Sequence, residues 1–162
     1  MSIHDQVEAI YAAERENIFR YLRYFNVPAP RAQELAQDCF VKLYLKLSQG
    51  DRIEEPRAWL YRVAQNQARR YHRREPVFDE IDETWDAPVP QPDPELDLMA
   101  RQQQALLARA VSDLSPQQRN CLHLRGQGLR YREIAEAMGI STSAVGEFLR
   151  RAVTKLKGVL DG

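Results

Sequence analysis

Apolar residues recur along this chain every third or fourth position, the period of an amphipathic α-helix. Val7, Ile10, Tyr11, Ile18, Leu22 and Phe25 give a first helix over 3–25 its face, and Asn26-Val27-Pro28 stops it. A second stripe over 31–47 runs through Leu35, Ala36, Cys39, Phe40, Leu43 and Leu47, while Val41 and Leu45 fall off it. A polar loop over 48–55 follows, and Pro56 suits the first turn of the next helix, over 57–74. Its expected buried residues are Trp59, Leu60, Val63 and Ala64. After a break, Leu96, Met99, Leu106, Ala110, Val111 and Leu114 make a further stripe, with Asp93-Pro94 as its cap and first turn. Ser115-Pro116-Gln117-Gln118 has the form of a capping box with proline in the first turn. That helix runs to about Arg125 and is closed by Gly126-Gln127-Gly128. Alternating β-branched runs are few, so the expected fold class is all-α.

The last stretch, YREIAEAMGISTSAVGEFL over 131–149, has the pattern of a helix-turn-helix. Ile134, Ala135 and Met138 share a face, and Gly139 stands where a helix ends with positive φ. Ile140 is the apolar turn residue, Ser141 can cap the second helix, and Val145, Leu149 and Ala152 form its inner face. A plain αα-hairpin shares most of these features. Arg150, Arg151, Lys155 and Lys157 set this one apart as a candidate to enter DNA.

Charge sharpens the picture. The formal net charge of the 162-residue chain is zero, but the charges are segregated. Arg57, Arg62, Arg69, Arg70, Arg73 and Arg74 occur over 57–74 without an acid. Asp79, Glu80, Asp82, Glu83, Asp86, Asp93, Glu95 and Asp97 occur over 76–97 without a base, and 119–157 is basic again. The prolines among those acids cannot build a core, so 76–94 is expected to be a flexible acidic linker between two small helical domains, 1–75 and 95–162. As a tether it would fold back and screen the basic modules at low salt. Cys39 and Cys121 lie on apolar faces and are expected to be buried free thiols in a reducing cytoplasm. His4, His72 and His123 are isolated, so neither a metal nor a cofactor is expected. No apolar run of membrane length occurs, and no membrane insertion is expected.

Two all-α modules, an acidic linker and a C-terminal helix-turn-helix resemble the extracytoplasmic-function sigma factors of bacterial RNA polymerase. Three segments carry the resemblance: ELAQDCFVKLYLKL, PRAWLYRVAQNQARRYHRR, and LSPQQRNCLHLRGQGLRYREIAEAMGISTSAVGEFLRRAVTKLK. By that resemblance the first binds core polymerase, the second opens and reads the −10 promoter element, and the third reads the −35 element. The chain is then an alternative sigma factor that directs promoter-specific initiation in the cytoplasm and performs no catalysis. Its partners are core RNA polymerase and promoter DNA. Control is expected from outside the chain, by an anti-sigma factor, a kinase or expression level.

The residues fit these roles physically. Gln37, Asp38, Val41, Lys42, Tyr44 and Leu45 offer mixed apolar and polar surface for a helix-on-helix contact with polymerase; packing on the first helix is the alternative. Arg62, Asn66, Arg69, Arg70, Tyr71, Arg73 and Arg74 combine charge for phosphates with an aromatic and an amide for unstacked bases at the −10 element. The 48–55 loop would help hold a flipped base, again by resemblance. Trp59 could stack on a base, but its apolar neighbours favour a core position.

In the recognition helix, Ser141, Thr142 and Ser143 stand at the phosphate-attracting N-terminus. Ser143, Ala144, Gly146, Glu147, Arg150 and Arg151 face away from Val145 and Leu149, and Lys155 extends the basic surface. Glu147 can accept from a cytosine amino group, and Phe148 can touch a thymine methyl. Many relatives carry a basic or hydroxyl residue at the Gly146-Glu147-Phe148 stretch, so their −35 preference does not transfer. The main rival function is a stand-alone helix-turn-helix regulator whose N-terminal domain senses a ligand or dimerises. An enzyme is disfavoured, because no catalytic motif is present.

Overall fold

The computed structural model describes residues 2–73 and 94–161; Arg74 and residues 76–93 of the expected acidic linker lie outside them. Among the described residues there are helices and no strand: α1 (Ile3–Tyr24), α2 (Ala29–Ser48), α3 (Pro56–Arg73), α4 (Leu98–Ser112), α5 (Pro116–Gly126), α6 (Tyr131–Met138) and α7 (Thr142–Leu160).

Local sequence explains most of the boundaries. The Ser2 side chain accepts from the Asp5 amide at 3.1 Å and starts α1. Asn26 closes it at φ 62°, a left-handed conformation that asparagine tolerates better than most residues. Helix α2 buries the expected stripe of Leu35, Ala36, Cys39, Phe40 and Leu43, while Val41, Tyr44 and Leu45 stay exposed. The Ser115 capping box is complete: its hydroxyl accepts from the Gln118 amide and its own amide donates to the Gln118 side chain, both at 3.1 Å.

Helix α4 departs from expectation. It starts at Leu98, capped by the Asp97 carboxylate on the Ala100 amide at 2.8 Å, rather than at Asp93-Pro94. Met99 and Leu106 of its periodic stripe are exposed, whereas Ala110 and Leu114 are buried. The helix rests on α7, and among the described residues Leu98, Met99, Leu106 and Leu107 stay exposed.

The helix-turn-helix forms as its sequence requires. Gly139 ends α6 at φ 69°. The Ile140 amide then reaches back to the Ala135 carbonyl at 3.0 Å, and the Ser141 hydroxyl caps the Ala144 amide at 3.1 Å. Ile134, Ala137, Val145 and Ala152 are fully buried within the pair.

Helix α3 is the junction of the molecule. It packs on α1 and α2 and, on another side, on α6. The buried apolar residues of the N-terminal and C-terminal helices therefore belong to one continuous cluster. Cys39 and Cys121 are free and buried, and burial pushes both thiols up to about 12.

Candidate nucleic-acid interface

Helix α3 has an amphipathic sequence but two occupied sides. Leu60, Val63 and Ala64 are buried in the helical core. Arg57, Tyr61, Gln65 and Arg69, four residues apart, form a second stripe along one side. The Arg57 guanidinium donates from Nε and Nη2 to the two Glu133 carboxylate oxygens at 3.0 and 2.9 Å, and from Nη2 to the Gly128 carbonyl at 2.9 Å. Glu14 of α1 stands 3.7 Å from the same guanidinium. Burial works to raise the Glu133 carboxyl, but the Arg57 hydrogen bonds, the Arg130 amide and the nearby positive charges hold it below the ordinary carboxylate range.

Farther along the stripe, Asn120 of α5 accepts from the Tyr21 hydroxyl at 2.7 Å and donates to Gln65 at 3.3 Å. The His123 ring lies 4.3 Å from the Tyr24 ring and 5.5 Å from the Tyr21 ring, both stacked. Burial lowers this imidazole to about 4, so it is neutral at physiological pH.

The expected open arginine face is therefore only partly open. Asn66, Arg69 and Arg70 are buried, which corrects the expectation that these arginines stand free for phosphates. The cause is that α3 has neighbours on several sides; Arg70, for example, reaches Gln67 at 3.4 Å within the helix. Arg62 and Tyr71 are half-buried, and Arg73 is exposed.

Trp59 is also half-buried, packed against the core as expected. It shares a groove of about 390 Å³ with Lys42, Leu45, Gln49 and Arg62, beside the exposed face of α2. Of the other residues on that face, Gln37 and Asp38 are exposed and Lys42 is half-buried. A second groove, of about 680 Å³, opens beside the 48–55 loop and is walled by Ile3, Ile10, Leu47, Asp51, Arg52 and Ile53.

On α7, Ser141, Thr142 and Ser143 are exposed at the helix start, and Ala144 and Gly146 are half-buried. Arg150 and Arg151 are exposed, but both are engaged by Glu147, with nitrogen–oxygen distances of 2.7 and 2.8 Å. Those hydrogen bonds, first from Arg150 and then from Arg151, lower the Glu147 carboxyl. Glu147 is thus a shared acceptor rather than the free one expected from sequence. Phe148 packs in part against the core. The Lys155 ammonium turns to the Asp113 carbonyl at 3.3 Å and the Gln118 side chain at 3.2 Å, away from the start of the recognition helix.

Comparison with known proteins decides the family. The family model for Sigma-70 region 2 matches residues 10–76, and that for Sigma-70, region 4 matches residues 100–156. RNA polymerase sigma factor YlaC of Bacillus subtilis is 30% identical over 161 residues, covering 97% of this chain and 93% of the relative. The chain belongs to the extracytoplasmic-function sigma factors of the sigma-70 family.

Sigma factor CnrH of Cupriavidus metallidurans is 28% identical over 149 residues, covering 86% of this chain and 78% of the relative. Two solved structures share the fold. CnrH in complex with the cytosolic domain of CnrY has a TM-score of 0.66 at 24% identity, covering 98% of this chain and 89% of that one. Sigma factor RpoE in complex with the anti-sigma factor NepR, from Bartonella quintana, has a TM-score of 0.62 at 22% identity, covering 95% and 96%. The sigma factor described here binds core RNA polymerase and promoter DNA and directs transcription initiation. Among its described residues no helix is long and apolar enough to cross a membrane, and no group of His, Cys, Asp or Glu could hold a metal ion.

Sequence reading of this sigma factor missed Arg57, Glu133, Asn120 and Tyr21 as a set, because they meet only across the fold. One local signal was available. Glu14 lies four residues before Ile18 on the apolar face of α1, an acid where burial calls for polar partners, and the structure supplies Asn17 at 3.1 Å and Arg57 at 3.7 Å.

Proposed function

We propose that promoter recognition is divided along the chain: residues 1–75 take core polymerase and the −10 element, and residues 95–162 take the −35 element. The observation that supports this most is the chain order of an arginine-rich α3 and a capped helix-turn-helix, each inside its matched sigma segment. Val41, Tyr44 and Leu45, exposed on α2 beside Gln37, Asp38 and Lys42, offer polymerase an apolar helix face. Arg62, Tyr71 and Arg73 meet −10 DNA from the accessible side of α3, with Asn66, Arg69, Arg70 and Arg74 as further candidates. The groove beside the 48–55 loop has apolar walls and an Asp51/Arg52 rim suited to an extruded base. Ser141, Thr142 and Ser143 hold a −35 phosphate at the α7 N-terminus, and Ala144, Gly146, Glu147, Arg150 and Arg151 face the bases.

The protein acts in the cytoplasm by binding alone, without covalent chemistry of its own. An anti-sigma factor is the class of regulator this reading favours, because the similar sigma factor RpoE is held in complex with the anti-sigma factor NepR.

Run-off transcription with core polymerase tests the division of labour. On promoter libraries randomised separately in each element, Arg73→Ala should alter selection only at −10, and Ser143→Ala only at −35. Initiation at background level on every template, or crossed effects, overturns the assignment.

A further inference from the structure

Gly146 leaves a gap in the reading face of α7, and an aromatic ring from the other helix of the pair stands at that gap. A Cβ placed on Gly146 would lie 3.7 Å from Cε2 of Tyr131, an ordinary van der Waals contact. Tyr131 is the first residue of α6, and Gly146 lies just over one turn into α7. Side chains of a helix lean toward its N-terminus, so the Tyr131 ring projects past the start of α6. It occupies the side of α7 where a Gly146 side chain would begin.

The ring is held in place from α5 as well. The Arg125 guanidinium lies 5.3 Å from its centroid, within the range of a cation–π contact. Arg125 is itself anchored by a 2.9 Å hydrogen bond from Nη1 to the Leu129 carbonyl. Despite these two neighbours the tyrosine stays 44% exposed, which leaves apolar area for a further partner to cover. The reading face of α7 itself has little such area. Ala144 is small, Gly146 has no side chain, Glu147 is engaged by two arginines, and Phe148 packs in part against the core. In the major groove, the C5-methyl of thymine is the apolar feature that separates one base from the other three. An oriented ring on the reading face is matched to that group.

We propose that Tyr131 is a specificity-determining residue of the −35 contact: its ring takes the place of the side chain missing at Gly146 and packs on the methyl group of a thymine. The recognition surface is then shared between two helices. Helix α7 supplies the polar readers, and α6 supplies the apolar one. Arg125 acts as a positioning residue that keeps the ring over Gly146. The proposal rests on the assignment of α7 to the −35 element.

The test uses holoenzyme assembled from core polymerase and the full chain, as wild type, Tyr131→Ala and Tyr131→Phe. Each is selected on a promoter library randomised at −35. The wild type should enrich thymine at one position or more. Tyr131→Ala should lose that enrichment at one of them and keep the other preferences, and Tyr131→Phe, which retains the ring, should keep all of them. Deoxyuridine in place of that thymine removes only the methyl group. It should weaken wild-type binding about fourfold, the effect of burying one such group, and leave Tyr131→Ala unchanged. Circular dichroism checks that the variants fold. If Tyr131→Ala does not, deoxyuridine scanned through the thymines of the −35 element with wild-type holoenzyme decides the matter without a variant. Full affinity for every deoxyuridine duplex overturns the proposal. So does an equal loss by Tyr131→Ala on all sequences, or a loss in Tyr131→Phe, since either makes the hydroxyl a phosphate contact instead. Wild-type holoenzyme that selects no base at −35 overturns the α7 assignment and this proposal with it. Selection that Tyr131→Ala leaves intact overturns this proposal alone.

Discussion

Arg57 on α3 and Glu133 on α6, 76 positions apart in sequence, meet as a two-point ion pair with both nitrogen–oxygen distances at or below 3.0 Å. The fork of the guanidinium matches the two carboxylate oxygens, and its remaining reach is spent on the Gly128 carbonyl at 2.9 Å. The charge and the geometry are both used, so neither lysine nor glutamine replaces arginine here.

Arg57→Ala should therefore destabilise the protein by about 1–3 kcal/mol, because it strands a largely buried carboxylate. Arg57→Lys keeps the charge without the fork and should cost less. Scanning calorimetry at neutral pH measures both. A wild-type melting profile for Arg57→Lys would show that the paired geometry is unimportant.

Acid should loosen the contact. The His123 imidazole, faced by the Tyr21 and Tyr24 rings of α1, is lowered to about 4 from its ordinary 6.5 by burial. A neutral buried histidine stabilises the native fold fully above pH 6.5, and that contribution is lost as pH falls toward 4. Unfolding free energy measured from pH 7 to 5 should decline in the wild type and decline less in His123→Phe. Parallel profiles would remove the histidine from the account.

Alanine at buried Arg69 and Arg70 should lower the melting temperature, whereas alanine at exposed Arg73 should leave it unchanged. In DNA titrations Arg73→Ala should reduce the log–log salt slope by about 0.9 if it meets a duplex phosphate. A lowered melting temperature for Arg73→Ala with an unchanged slope would assign this arginine to the fold.

Glu147 holds Arg150 and Arg151 together on the exposed face of α7. Glu147→Ala should release both guanidiniums, raise affinity for unrelated duplex DNA, and steepen its salt dependence. Selection at one −35 base pair should relax by about 1–3 kcal/mol if the carboxylate also reads a base. Binding to a randomised −35 library separates these effects, and a wild-type profile would leave Glu147 with no part in recognition.

The helices were legible in the sequence because their causes are local. The apolar period placed α1, α2 and α3 to within two residues at each end, and Gly139, Ser141 and the Ser115 box fixed their own turns. Helix α4 was less legible. Asp93-Pro94 and Asp97 both suit a cap, and the choice depends on where the chain can first pack. The candidate site was legible in its residue types but not in their exposure. Arg69 and Arg70 carry the same local signal as Arg73, and only neighbouring elements across the fold separate buried from exposed. Glu147 with Arg150 and Arg151 shows the other case, a spacing of three and four residues whose pairing is readable in the sequence.

The Tyr21–Asn120 bond joins two parts of a single chain, so its formation does not depend on how many copies of the protein a cell holds. Dilution would dissolve a contact between two copies but leaves an intramolecular bond unchanged. A cell that has just begun to synthesise this protein and one that has accumulated it would hold the same proportion of chains with this bond formed.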